Sequence, residues 1–300
     1  DYRNEMVVSD EILQRSADSY RRIRNTIRFL LSNLHDYDDS INRLDVNELT
    51  ELDRWMMKRT KDLQEQIIED FSVYQFHIVF QKIQNFCTND LGGFYLDIIK
   101  DRLYTSGSDS NARRSSQTVL YKILGFLIRA ISPILSFTAE EAWKSFNTKS
   151  DSIFLEEWEK DWPIIKEGTI SNHDWISVLS IRSEVNKILE TSRNEGLIGS
   201  SLDAELDLYC SEEIFLVLNK FSEELRFIFI TSEAKIFPYE QIGQETKLDG
   251  LRVKVHKSQH NKCARCWHSR VEVGSHLEHQ SLCNRCVSNI GHESESRRYA

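Results

Sequence analysis

Cys263, Cys266, Cys283 and Cys286 form a C-x2-C pair, a sixteen-residue spacer and a second C-x2-C pair. Two residues between thiols make a tight turn that aims both sulfurs at one point, and the spacer brings the second turn back opposite the first. This pattern builds a tetrahedral site for Zn²⁺ with metal–sulfur bonds of about 2.3 Å. Four thiolates leave no open coordination position, so the expected ion is single and structural. Two other readings are weaker. Disulfides are disfavoured in a reducing compartment, and a redox C-x-x-C normally stands alone beside a βαβ pattern, which is missing here. Six of the nine histidines, His256, His260, His268, His276, His279 and His292, share this tail. Any of them can replace a thiolate in a mixed site, but the cysteine set is complete without them, and they are expected to face solvent. Cys87 and Cys210 are expected to be small buried hydrophobes.

The residues around the cysteines explain why a metal is needed. Residues 258–300 hold ten apolar residues besides cysteine, too few for an independent core. Zinc contributes about 10–16 kcal/mol in finger peptides, enough to order such a segment. The chain carries a net charge of -9, yet residues 250–300 hold nine Lys/Arg against four Asp/Glu. A tetrathiolate zinc centre subtracts about two charges and leaves Lys254, Lys257, Lys262, Arg265, Arg270 and Arg285 dominant. Arg265 and Arg285 are therefore candidate phosphate contacts. Trp267 is a candidate base-stacking platform, an interaction worth about 1–3 kcal/mol, with packing over the zinc loop as the alternative. Near the other end, Arg21, Arg22 and Arg28, with Arg24, are candidates for phosphate contact on one helix, against the plainer reading of a solvated face. Asp36, Asp38 and Asp39 lack the glycine and distal glutamate of a calcium loop and read as a polar loop.

The remaining composition describes what positions these groups. A chain of 300 residues, 40% hydrophobic and 28% charged, suits a globular protein of about two domains. The longest apolar run, residues 214–218, is far short of a membrane span, and no secretory pattern opens the chain. No membrane association and a cytoplasmic location are expected. The acidic balance, with a pI near 5.6, argues against a basic nucleic-acid coat protein. Asp1-Tyr2-Arg3 opens the chain without methionine, so part of a longer polypeptide, or a processed one, is expected. Three prolines and 11 glycines favour a mainly α protein.

Apolar residues recur at helical spacing from Ser9 to about Thr148. Tyr20, Ile23, Ile27, Leu30, Leu31 and Leu34 lie on one face, and residues 53–71, 76–104 and 114–132 repeat the pattern. Pro133 ends the last of these helices, and Thr138 with Glu141 predicts a capping box on the next. These helices predict a bundle over residues 1–150. A connector ordered by Trp158, Trp162 and Trp175 opens a second region, residues 151–250. It continues with a helix from about Trp175 to Arg193, capped by Gly196, and a small α+β unit. Strands are predicted over 204–209, 226–230, 235–239 and 251–256, with a helix over 212–221. Residues 251–300 form the C-terminal four-cysteine zinc module. No phosphate-binding, dinucleotide or nucleophile-elbow motif occurs. The residues alone thus describe a macromolecule-binding assembly.

Lys262-Cys263-Ala264-Arg265-Cys266-Trp267-His268, with Leu282-Cys283-Asn284-Arg285-Cys286-Val287-Ser288-Asn289, resembles the terminal zinc module of bacterial-type isoleucyl-tRNA synthetases in order and spacing. Glu184-Val185-Asn186-Lys187 and Leu197-Ile198-Gly199-Ser200-Ser201-Leu202-Asp203-Ala204 resemble the preceding junction. Pro133-Ile134-Leu135 and Thr138-Ala139-Glu140-Glu141 resemble the anticodon-binding bundle shared with valyl and leucyl relatives. Asp1-Tyr2-Arg3 and Ser9-Asp10-Glu11-Ile12-Leu13 look like the segment just past the catalytic core. His292 and Ser294 stand where the family often has glycine.

The resemblance covers essentially the whole chain. It implies an anticodon-binding helical bundle, a junction domain and a zinc module of an enzyme that joins isoleucine to tRNA(Ile) using ATP. Neither His-x-Gly-His nor Lys-Met-Ser-Lys-Ser occurs in these residues. ATP would therefore be handled by an upstream catalytic domain, accompanied by an upstream editing domain, and this part alone is expected to be inactive. The rival functions are a free-standing RNA-binding protein and a zinc-ribbon module for protein contacts.

Overall fold

The computed structural model describes residues 5, 7–146, 150–166, 168–291 and 294–300. Asp1-Tyr2-Arg3, His292 and the expected end of the bundle at Thr148 lie outside the described residues. Two compact units are present, Asp1–Ile99 with Arg114–Ile165, and Lys100–Arg113 with Lys166–Ala300. No helix among the described residues is long and apolar enough to cross a membrane.

The first unit holds most of the helices expected over residues 1–150, without Lys100–Arg113 and with residues 151–165 of the expected connector. Helix α1 (Asp10–Ser32) begins at Ser9, whose hydroxyl accepts from the Ile12 amide, and buries Ile23, Ile27 and Leu30. A short turn α2 (Asp39–Asn42) follows, with Asp38 as its N-cap. Asp39 accepts locally from the Tyr37 hydroxyl, while Asp36 accepts from Gln117, 81 residues further along the chain. Helix α3 (Glu51–Ser72) is capped by Thr50 and leads to α4 (Phe76–Asn85). Residues 76–104 are not one regular helix. Phe86–Tyr95 forms a π-helix between α4 and α5 (Leu96–Thr105). Its wider turn brings each carbonyl against the residue five positions on. A Cβ at Gly92 would sit 3.1 Å from the Cys87 carbonyl oxygen, so glycine suits the crowding. Apolar spacing does not distinguish this local change of pitch.

Helix α6 (Asn111–Ile131) supplies the centre of the core, with Val119, Leu120, Ile123, Leu124 and Leu127 all buried. Phe86 meets Phe126 edge-on at 6.0 Å and Trp55 meets Phe94 edge-on at 5.7 Å, the favoured geometry for aromatic pairs. Asp53, fully buried, accepts from the Tyr95 hydroxyl at 2.7 Å and from Ser115. Helix α7 (Ser136–Phe146) starts two residues before the expected cap. Thr138 instead shares a hydrogen bond with the Tyr20 hydroxyl at 3.1 Å, and Glu141 pairs with Arg24. The capping-box expectation is therefore corrected: the two side chains tie α7 to α1. The connector packs Trp158 on Phe71 at 6.2 Å. Gln64, Lys122 and Arg129 donate to its carbonyls at Glu159, Asp161 and Glu157, so polar contacts supplement the predicted aromatic ones.

The second unit is built on α8 (Asn172–Asn194), whose N-cap Ser171 forms a reciprocal capping box with Asp174. Gly196 takes the left-handed conformation at φ 77° beyond its end, as predicted. Changing Ser171 to alanine leaves that end uncapped and should lower stability by about 1 kcal/mol, read as a shift of the urea midpoint. The sheet order is β2-β1-β4-β3. Strand β1 (Ala204–Cys210) pairs in parallel with β2 (Glu233–Pro238) and antiparallel with β4 (Leu251–Lys257). The edge pair β3 (Gln244–Glu245) was not foreseen.

Parallel pairing needs a crossover, and α9 (Glu212–Asn219) with α10 (Leu225–Phe229) provides it. Of residues 226–230, expected as a strand, 226–229 are thus helical and Ile230 is a left-handed cap at φ 55°. Leu225, Phe227, Ile228 and Phe229 are all buried, and a short apolar run buried on every side carries no period from which to choose. Cys87 and Cys210 are buried, as expected. The last helix, α11 (Asn284–Ile290), belongs to the cysteine module.

Candidate metal centre and its supporting frame

The four predicted cysteines converge. Their sulfurs all lie within 4.8 Å of one another and all four residues are buried. The Cys266 and Cys283 sulfurs are 3.6 Å apart. That is far beyond a disulfide bond and close to the edge of about 3.8 Å that a tetrahedron with 2.3 Å metal–sulfur bonds requires. The donor set and its shape both fit Zn²⁺. Among the described residues this is the only cluster of metal-binding side chains.

Local folding explains the convergence. In the first turn the Cys263 amide donates to the His268 carbonyl at 2.9 Å, and the Trp267 amide donates to the Cys263 carbonyl at 3.0 Å. Trp267 closes that turn at φ 66°, an uncommon conformation for a bulky residue. In the second, Cys283 is the N-cap of α11 and Cys286 lies one turn inside it, so both sulfurs share a side. The Cys283 amide also donates to the Cys263 sulfur at 3.4 Å. Crowding couples the thiols: hydrogen bonds with Cys266 and then Cys286 push Cys283 down to about 3, while hydrogen bonds with Cys266 and then Cys283 push Cys286 up. The local core consists of these cysteines and Val273, with Leu282 packed against them. Burial alone is too small here to hold the segment.

A second support was not foreseen. Asp101, on α5, accepts from both Arg285 guanidinium nitrogens at 2.5 and 2.8 Å and from Arg297 at 2.7 Å. Glu295 joins both arginines at 3.2 and 2.9 Å. Burial alone would raise the Asp101 carboxyl; Arg285 and then Arg297 outweigh it and hold it far below the usual carboxylate range. Glu295 is lowered for the same reason, chiefly by Arg297 and Arg285 acting against burial. No local pattern announces this network, because Asp101 and Arg285 are 184 residues apart in sequence. At Gly107 a Cβ would meet the Ser294 hydroxyl at 2.6 Å, so the tail also lies close against the turn that precedes α6.

The RNA-contact candidates divide by environment. Arg21, Arg22 and Arg28 are exposed on α1. Arg21 meets Asp18 in a surface pair of the kind worth at most about 1 kcal/mol, and Arg22 and Arg28 make no ion pair among the described residues. Trp267 is 61% exposed, so most of its side chain faces solvent. Arg265 is on the surface, but its guanidinium donates to the Thr105 carbonyl. Arg285 is turned inward and bound to Asp101 and Glu295, a framing position. His268 overturns the expectation of exposed histidines: it is 3% exposed and meets Phe227 edge-on at 5.7 Å. Burial pushes it down to about 4 against the opposing charge of Asp101.

Comparison with known proteins agrees with this geometry. Residues 53–208 match the family model described as the anticodon-binding domain of tRNA ligase. Residues 261–289 match the model of the zinc finger found in FPG and IleRS. The chain is 49% identical over 302 residues to the isoleucine–tRNA ligase of Legionella pneumophila (strain Corby). It is 47% identical over 304 residues to that of Teredinibacter turnerae and 48% identical over 305 residues to that of Pseudomonas putida (strain GB-1). Each alignment covers 100% of this chain and 32% of the relative, so the chain spans about one third of their length.

Proposed function

Because this chain belongs to the family of tRNA-ligase anticodon-binding domains, we propose that it is the tRNA-binding, zinc-bearing C-terminal region of an isoleucine–tRNA ligase. Its role is to hold tRNA(Ile) by the anticodon region so that the acceptor end is oriented for ATP-dependent aminoacylation. The chemistry and the editing belong to other domains of the same enzyme, in the cytoplasm, and these 300 residues alone are inactive. Orientation of this kind converts binding free energy into rate. The observation that carries the reading is the convergence of four buried sulfurs inside the zinc-finger match, in a chain whose helices from residue 53 onward lie within the anticodon-binding match.

In this reading one structural zinc ion is held by Cys263, Cys266, Cys283 and Cys286. Residues 1–150 receive the anticodon stem and loop, 151–250 form the junction, and 251–300 present the metal-framed surface. Unpaired anticodon bases can be splayed out and stacked on aromatic rings, whereas a duplex offers mainly shape and phosphates. Trp267 suits the first contact; Arg21, Arg22 and Arg28 suit the second, with Arg265 beside the tryptophan.

Filter binding of the full chain to tRNA(Ile) and to an unrelated tRNA tests the proposal, with preference for the former expected. Equal affinity for both, or none for either, would refute it; the second result would favour a protein-contact module. Replacing Arg22 and Arg28 with glutamine should flatten the dependence of log K on log salt by about 0.7–0.9 for each lost phosphate contact. An unchanged slope returns these arginines to a solvated face.

A further inference from the structure

Phe227 is ringed by guanidinium groups: Arg297 at 3.2 Å from its centroid, Arg226 at 4.5 Å and Arg285 at 5.2 Å. Their surroundings differ. Arg285 and Arg297 share Asp101 and Glu295, while nearby Arg270 has Glu272 and the Ser232 carbonyl. Arg226 makes no ion pair and no side-chain hydrogen bond among the described residues, although Asp101 acts on it at longer range, and its buried Nε is unpartnered. It is the unmatched cation of the cluster.

Two open clefts meet at this residue. One, of about 650 Å³, is lined by Arg226, Arg298 and Tyr299 among others; the second, of about 390 Å³, by Arg226, Arg270 and Lys235. The neighbouring acids are mostly committed. Glu224 accepts from the amides of Arg298, Tyr299 and Ala300 at 2.9, 2.9 and 2.8 Å, and Glu233 pairs with Lys235 at 3.0 Å. Glu223, exposed at the rim of both clefts, makes no ion pair among the described residues.

We propose that Arg226 and the clefts beside it form an oxyanion-binding site for a phosphate group, with Arg226 as the principal ligand-binding side chain. A planar guanidinium can donate two parallel hydrogen bonds to two phosphate oxygens, and the surrounding cations reinforce the attraction. The field is already felt by Arg226, which is pushed down to about 10 by burial and then by Arg270, Arg285 and Arg297. The phosphate is either a backbone phosphate of bound RNA, which rests on the function proposed above, or free inorganic phosphate, which does not.

Titration of the full chain with inorganic phosphate, followed by calorimetry in low-chloride buffer, reads the site directly. The expected result is saturable binding that weakens at least roughly tenfold in Arg226→Gln. Arg226→Lys, which keeps the charge and loses the fork, should weaken it by less. The glutamine variant should melt no lower than the parent chain, because it removes an uncompensated cation. Filter binding to tRNA separates the sources. A salt slope flatter by about 0.7–0.9 in Arg226→Gln identifies an RNA phosphate; an unchanged slope with lost phosphate binding identifies the free ion. Phosphate binding and salt slope both unaltered in Arg226→Gln and Arg226→Lys would overturn the proposal, as would absence of phosphate binding and of any slope change. Should the parent chain bind no RNA at all, the function proposed above fails, while the phosphate titration still reads Arg226.

Discussion

Replacing Cys283 with serine is expected to abolish stoichiometric zinc and to open residues 258–291 to proteolysis, leaving the helical bundle folded. The size of the effect follows from what else holds the segment. Its local core contains the cysteines and Val273, with Leu282 partly buried beside them, so no apolar reserve replaces a lost ligand. The Asp101 network remains, but breaking such a buried ionic group costs about 3–5 kcal/mol, against about 10–16 kcal/mol for structural zinc in finger peptides. The metal wins that comparison, and the network alone should not keep the segment ordered. Elemental analysis after gel filtration, with limited proteolysis, provides the measurement. Cys87→Ser and Cys210→Ser serve as controls, since both thiols lie outside the cluster. Full zinc content in the Cys283 variant would remove that cysteine from the ligand set.

The cysteine site was legible because its information is local: the spacing within each pair fixes a turn, and the shortage of apolar residues indicates that something besides burial must act. Helix existence was legible for the same reason, since Ile23, Ile27 and Leu30 repeat a helical period along one segment. What the sequence concealed depends on distant partners. Nothing near Arg285 announces Asp101, so a cation expected to face RNA is instead bound within the fold. Phe227 and Ile228 are compatible with strand or helix, and only the β1–β2 crossover selects the helix. The π-helix at Phe86–Tyr95 alters pitch without altering composition in a recognisable way, apart from the adjacent glycines. His268 illustrates the same limit: a polar stretch predicts exposure, but the ring of Phe227 and the edge of Asp101 provide a buried place for it.

Asp101→Asn should destabilise the second unit by about 3–5 kcal/mol while leaving zinc bound. The substitution keeps the side-chain shape and removes the charge, so Arg285 and Arg297 must share Glu295 alone. Both guanidiniums are buried, at 10% and 2% side-chain exposure, and an unpaired charge in such a place is costly to leave. Urea denaturation at neutral pH with zinc present measures the loss. Acid supplies an independent check whose sign is fixed: Asp101 and Glu295 are both lowered in the folded chain. Their contribution is complete above the unfolded carboxylate range, about pH 4, and is lost as pH falls below it toward the folded values. The asparagine variant should therefore show a shallower decline between about pH 4 and pH 2 than the parent chain. A cost under about 1 kcal/mol with parallel acid profiles would mean that desolvation cancels the attraction in this cluster. A large cost with zinc retained would show that the metal folds the module, while Asp101 anchors α11 and, through it, the frame that presents Trp267.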